Sequence, residues 1–225
     1  MLLARKGEDH MKRLLIVGAG DLGRETFQWA RDIEKHNMNQ WDVIGFLDDD
    51  LQALEKYNKN DRILGTVNEY VPQAGDELVV AIGDPATKRD LYQKLSAKGA
   101  VFATLIHPTV LLPDEYSIGK DVIIGPGSIV SIEVSIADCV IVNTLTVVGH
   151  DVVIESGCVI SDYCDLMGHC YLEENVFLGS GVQILPSVRV GKNARVGAGS
   201  VAIRRVKADT TVFGNPAKSI YNPKK

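Results

Sequence analysis

The sequence predicts two domains in series: an α/β N-terminal Rossmann-like domain, then an all-β left-handed parallel β-helix built from hexapeptide repeats. Two observations carry this. From Arg13 to about Gly99, short apolar runs alternate with helix-compatible stretches, the pattern of βαβ units and a parallel sheet. After Ala103 the apolar period becomes six and stays six to Val196.

In the first half, LLIVGAG (Leu14 to Gly20) reads as a buried strand running into glycines, and Arg24 to Lys35 as a helix with Phe27 and Ala30 on one face. DVIGFLDDD (Asp42 to Asp50) is a second strand ending in acids, and ELVVAIGD (Glu77 to Asp84) a third. Pro85 opens a helix through Leu91 and Leu95 that stops at Gly99.

In the second half an aliphatic register runs without interruption through Ile106, Leu112, Ile118, Ile124 and on, six by six, to Val190 and Val196. Four residues after each register position from Ile118 on stands a small or β-branched residue, such as Ser128, Thr146 or Ala194. Such a pattern fits a triangular prism in which every sixth side chain points inward. Three hexads close a coil, so residues eighteen apart stack about 4.8 Å from one another. Gly119, Gly125, Gly179, Gly191 and Gly197 read as turn residues between faces. Cys158, Cys164 and Cys170 fall on the small inward positions of one coil, which makes them core rather than a ligand cluster. The boundaries that follow are 1–11 as a leader or disordered segment, 12–104 as the α/β domain, and 105–225 as the β-helix with a C-terminal cap.

The chain has 225 residues and a formal net charge of -5, a balance that argues against nucleic acid because no clustered excess of cations is present to meet a phosphate backbone. No apolar run reaches the roughly 18 residues of a membrane span, and the N-terminal apolar stretch is short for a signal peptide. With unpaired core cysteines, these features predict a cytoplasmic protein with no membrane partner.

Two places can carry chemistry. GAGDLG (Gly18 to Gly23) satisfies G-x-G-x-x-G between a strand and a helix, which aims backbone N–H groups at a phosphate, and Asp48 and Asp49 follow the next strand where a ribose is held in dinucleotide enzymes. By motif alone NAD would be the ligand, but the βα units are too few for a full dinucleotide site. His150 stands two places after the inward Val148, so its imidazole should point out of the prism, beside Asp151.

GAGDLGRE (Gly18 to Glu25), GFLDDD (Gly45 to Asp50), VAIGDPATKRDLY (Val80 to Tyr92), IHPTV (Ile106 to Val110), NTLTVVGHDVVI (Asn143 to Ile154), VGAGSVA (Val196 to Ala202) and GNPAK (Gly214 to Lys218) occur in this order. The set resembles bacterial nucleotide-sugar N-acetyltransferases and the similar sialic acid O-acetyltransferases, hexapeptide-repeat acyltransferases. The resemblance implies a homotrimer that moves acetyl from acetyl-CoA to the amino group of a nucleotide-linked amino-dideoxy sugar, without a metal. O-acetylation of a sialic acid is the nearest alternative, and a non-catalytic solenoid scaffold is the alternative of another class.

By the same resemblance His150 is the general base, Asp151 orients it, and Asn143 lines the acceptor site. An imidazole, with an ordinary pKa of about 6.5, is largely neutral at pH 7 and suits that role. Gly18, Gly20, Gly23, Asp48, Gly83 and Asp84 match the acceptor-binding positions. Gly179, Gly197, Ala198 and Lys218 match the coenzyme region, with Arg204, Arg205 and Lys207 as nearby charges.

Two positions depart from the family pattern. Leu22 stands where relatives often carry an acceptor-contacting His, and Val159 where many have a His expected on the coenzyme side. His107 is expected to close the junction between domains, and His169, nineteen residues after His150, to lie on the same side of the prism. The three His do not form the pair of ligands five residues apart found in β-helical carbonic anhydrases.

Overall fold

The computed structural model describes residues 12–37, 41–57 and 62–221; the expected leader, 1–11, lies outside the described residues. Four parallel strands, β1 (Lys12–Val17), β2 (Trp41–Leu47), β3 (Ile63–Gly65) and β4 (Asp76–Val80), form a sheet in the order β3-β2-β1-β4. The three-residue β3 was not among the expected strands, being too short to show a period. α1 (Asp21–Asn37) starts three residues earlier than its apolar spacing indicates, inside the glycine motif, and buries Phe27 and Ala30. α2 (Pro85–Ala97) begins at an Asp84 cap with Pro85 in its first turn, and Gly99 just beyond its end takes φ +83.

From Leu105 the chain winds into a three-sided prism with one two-residue strand per face and coil, pairing in parallel with its equivalent eighteen residues on, as in Ile141 with Val159. The first face carries Ile123–Ile124, Ile141–Val142, Val159–Ile160, Phe177–Leu178 and Arg195–Val196. The second carries Ile129–Val130, Val147–Val148, Asp165–Leu166, Gln183–Ile184 and Val201–Ala202. The third runs from Ser117–Ile118 to Arg189–Val190. The register aliphatics and the small inward residues, Cys158, Cys164 and Cys170 among them, make one continuous core. Burial pushes these three thiols up to about 12, 11 and 11.

The corners obey a rule of their own. Every sixth residue from Asp121 to Gly199 has a left-handed backbone, and most are not glycine: Glu133, Leu145, Asp151, Tyr163, His169 and Asn175 all lie near φ +57. The glycines expected as turn residues stand two places earlier and are not left-handed. Their role is close approach: a Cβ on Gly179 would lie 2.7 Å from the Ala198 nitrogen of the next coil.

The α/β domain covers the first face. Outward side chains Ile123, Ile141 and Val159 join a core with Phe27, Ala30 and Trp41. Val159 is therefore interdomain packing, 4% exposed, on the face that the domain occupies. α2 also ties the domains together. The fully buried Lys88 ammonium donates to the Val80 carbonyl (2.6 Å) and to Asp121 (2.7 Å), whose other oxygen accepts from the Val80 N–H. Arg89 reaches Glu174 (2.8 Å), and Arg195 of the solenoid reaches Asp84 (2.5 Å). His107 lies at the junction as expected, its Nε2 3.9 Å from Asp32 of α1. Among the described residues no helix is long and apolar enough to cross a membrane.

Candidate active site

His150 stands at the corner where the second face turns into the third, just past Val147–Val148. The left-handed backbone of Asp151 (φ +58) turns its carboxylate back on the imidazole, with His150 Nδ1 2.7 Å from Asp151 Oδ2. With the Nδ1 proton donated to Asp151, Nε2 keeps a lone pair. The ring has room because residue 168, one coil on, is glycine: a Cβ there would fall 2.5 Å from His150 Nε2. The only sign of Gly168 in the sequence is its place eighteen residues after His150. His169 sits beside the pair, as its position nineteen residues on implies. Its N–H donates to the His150 carbonyl (2.9 Å), its Nδ1 is 3.8 Å from Asp151 Oδ2, and the two rings meet edge to face at 5.0 Å. All three side chains are about half exposed.

Asn143 is not part of this cluster within one chain. It lies seven residues earlier at the opposite edge of the second face, beyond the left-handed turn at Leu145. Its Oδ1 is buried and, among the described residues, has no hydrogen-bond partner. Nearby, Thr144 donates to Asp162 (2.6 Å), and the Glu25 carboxyl of α1 is held above its usual range by burial and by the Asp162 charge. This first-to-second corner therefore borders the start of α1. Gly179 and Gly197 stack in the same column on later coils, with Ala198 one place on; Ala198 is exposed, whereas the space over Gly197 is taken by Phe213 of the tail. Lys218, with Arg204, Arg205 and Lys207, lines a concavity of about 320 Å³ at the C-terminal end of the solenoid, away from His150.

In the α/β domain, β1 and β4 are neighbours reached from opposite directions, so a crevice opens at their carboxyl ends, between the glycine loop and the Gly83–Asp84 turn. A Cβ on Gly23 would meet the Gly18 carbonyl at 1.9 Å, so glycine there lets α1 pack on the loop. Gly20 and Gly83 face open space. The two acids expected to hold the acceptor also bond within the protein. Asp48 accepts from the Ala19 N–H (2.6 Å) and the Asp50 N–H (2.9 Å), and Asp84 caps α2 while pairing with Arg195. Both carboxylates fix loops through these bonds, and the Asp84 side chain stays 44% exposed. Leu22 packs partly buried against the interdomain core.

Residues 13–95 match the PglD N-terminal domain family and residues 100–196 the GMPPB C-terminal domain family. The acetyltransferase domain of PglB from Neisseria gonorrhoeae FA1090, solved with acetyl coenzyme A, is 27% identical with a TM-score of 0.84, covering 93% of this chain and 99% of that one. PerB from Caulobacter crescentus, solved with CoA and GDP-perosamine, is 26% identical with a TM-score of 0.82, covering 93% and 97%. WeeI from Acinetobacter baumannii AYE shares the fold at 22% identity and a TM-score of 0.81, covering 92% and 99%. No curated protein matches the chain.

Proposed function

We propose that this chain, which is similar over nearly its whole length to hexapeptide-repeat sugar acetyltransferases, transfers acetyl from acetyl-CoA to the amino group of a nucleotide-linked amino-dideoxy sugar. The observation that carries the reading is the His150–Asp151 pair, set on an outward corner of a chain that superposes over 93% of its length on an acetyltransferase bound to acetyl coenzyme A. The amine attacks the thioester carbonyl while His150 Nε2 removes its proton. Asp151 holds the resulting imidazolium, which then protonates the departing CoA thiolate, and backbone amides stabilise the oxyanion. The crevice over Gly18, Gly20 and Gly83 takes the nucleotide through backbone N–H groups and the start of α1.

The site is completed by a second chain. The acceptor crevice and Asn143 lie at one edge of the second face and His150 at the other, so one chain cannot bring the base to its own acceptor. A neighbouring solenoid can, with the outward Ile129, Val147 and Leu111, which are exposed and stacked on this same face, as the apolar contact. Threefold closure gives a homotrimer with three equivalent grooves. The coenzyme lies along the Ala198 edge, with its phosphates toward Lys218 and its cationic neighbours, and the unpaired Asn143 Oδ1 accepts from a bound substrate.

The test is an initial-rate assay following CoA thiol release with UDP-, dTDP- and GDP-linked amino sugars and free sialic acid. Turnover with one nucleotide amino sugar is expected. Turnover with sialic acid alone would assign O-acetylation, and no binding of acetyl-CoA by calorimetry would leave a scaffold.

A further inference from the structure

We propose that the His150–Asp151–His169 corner is an inhibitory binding site for a divalent first-row transition ion, zinc above all. Two imidazoles and a carboxylate are the donor set such ions take, and here one donor atom from each lies within 4.8 Å of the others. A tetrahedral ion with bonds of about 2.0–2.1 Å needs donors about 3.3 Å apart. His150 Nδ1 and His169 Nδ1 stand 2.7 and 3.8 Å from the shared Asp151 Oδ2, so small side-chain rotations suffice.

The coil itself builds the arrangement. Asp151 and His169 are vertical neighbours in the left-handed corner column, His169 is tied by its N–H to the His150 carbonyl, and Gly168 leaves the room that lets the His150 ring lie between them. The corner is exposed, so an ion can arrive. The chain's four cysteines do not compete: they are buried, with their thiols held at about 11 to 12.

Occupancy has a defined chemical consequence, which rests on the reading of His150 as base. An ion on Nδ1 displaces the proton donated to Asp151, and Asp151 turns from hydrogen-bond acceptor to ligand. In a neutral imidazole that proton moves to Nε2, so no net proton is released, and the lone pair that would accept the amine proton is gone. Three protein ligands leave a fourth position for water. The ion is thus a reversible inhibitor and no part of the reaction.

The test uses the full chain, stripped with chelator and titrated at pH 7.5, where free imidazoles are largely neutral. Zinc binding is followed by calorimetry, and cobalt by its visible absorption, in wild type and His169→Ala. The expectation is one ion per chain, with affinity at least about tenfold weaker in His169→Ala, the loss seen even for outer partners of metal ligands. In the transfer assay the zinc-free turnover of His169→Ala should stay within about twofold of wild type, as for a surface change, while its half-inhibiting zinc concentration rises in parallel with the binding constant. Equal zinc affinity in the two proteins would overturn the site. Zinc binding that depends on His169 but leaves wild-type turnover untouched at saturation would overturn the inhibition, and would count against His150 as base rather than against the site.

Discussion

The two edges of the second solenoid face are made from the same hexad and carry opposite things. At the edge shared with the first face the column runs Gly125, Asn143, Ser161, Gly179, Gly197: small residues over which successive coils approach closely, with one orphaned amide oxygen among them. At the other edge the half-exposed His150–Asp151 pair projects, with His169 beside it. One edge is a wall and the other a reagent. A flat face separates them, outward-aliphatic at Ile129 and Val147 and polar at Asp165 and Gln183, and nothing inside a rigid prism can fold one edge onto the other. On the proposed reading, the reactive geometry of this chain is a property of packing two copies side by side.

The largest expected effect is at the reagent edge. His150→Ala should lower kcat by roughly 10²–10⁴-fold, the range for a lost general base, with acetyl-CoA affinity unchanged by calorimetry; near-wild-type turnover would move the chemistry elsewhere. Next comes the link that holds the acceptor domain against the solenoid. Lys88→Met leaves Asp121 buried and unpaired, and urea denaturation should show a loss of about 3–5 kcal/mol, part of it recovered in Lys88→Met/Asp121→Asn. Gly168→Ala pushes the imidazole off its seat without touching the core. It should cost up to about 10² in kcat, as a misplacement of about 1 Å can, with an unchanged melting temperature. The smallest effect is at the wall. Asn143→Ala removes an unpaired buried acceptor, so the free protein should melt no lower than wild type, while KM for one substrate rises roughly tenfold, the worth of a hydrogen bond of about 1.5 kcal/mol. A fall in stability with unchanged KM would mean that the amide serves the coil and not a ligand.

What was legible in the sequence follows from the same contrast. The hexad register shows in sequence because burial selects aliphatic side chains at fixed spacing, and Cys158, Cys164 and Cys170 fall into the core by that rule alone. Corner chemistry does not show, because a left-handed backbone imposed by eighteen-residue coils holds Leu145 and Tyr163 as well as Gly127 and Gly181, and composition there is a poor guide. For the same reason the corner glycines were misread as turn formers when they are points of close approach. Periodicity says that Val159 points outward but not what covers its face; that depends on how the α/β domain docks. Asp48 and Asp84 sit where a ligand acid would sit, and only coordinates reveal their contacts with Ala19, Asp50, Thr87 and Arg195. Conversely, His150 beside Asp151 could be read directly, because two adjacent residues need no tertiary information to meet.

The central claim, that wall and reagent come from different chains, is tested most directly by complementation. His150→Ala removes the reagent and leaves the wall. Ala198→Trp fills the exposed wall position and spares Gly197, whose space Phe213 needs. Each variant alone should be nearly inactive. Unfolded together and refolded as a mixture, they should regain part of the wild-type turnover, because some interfaces then join an intact His150 to an intact wall. Mixed oligomers that form, as shown by native mass spectrometry of differently tagged chains, yet remain as inactive as either parent would contradict the account.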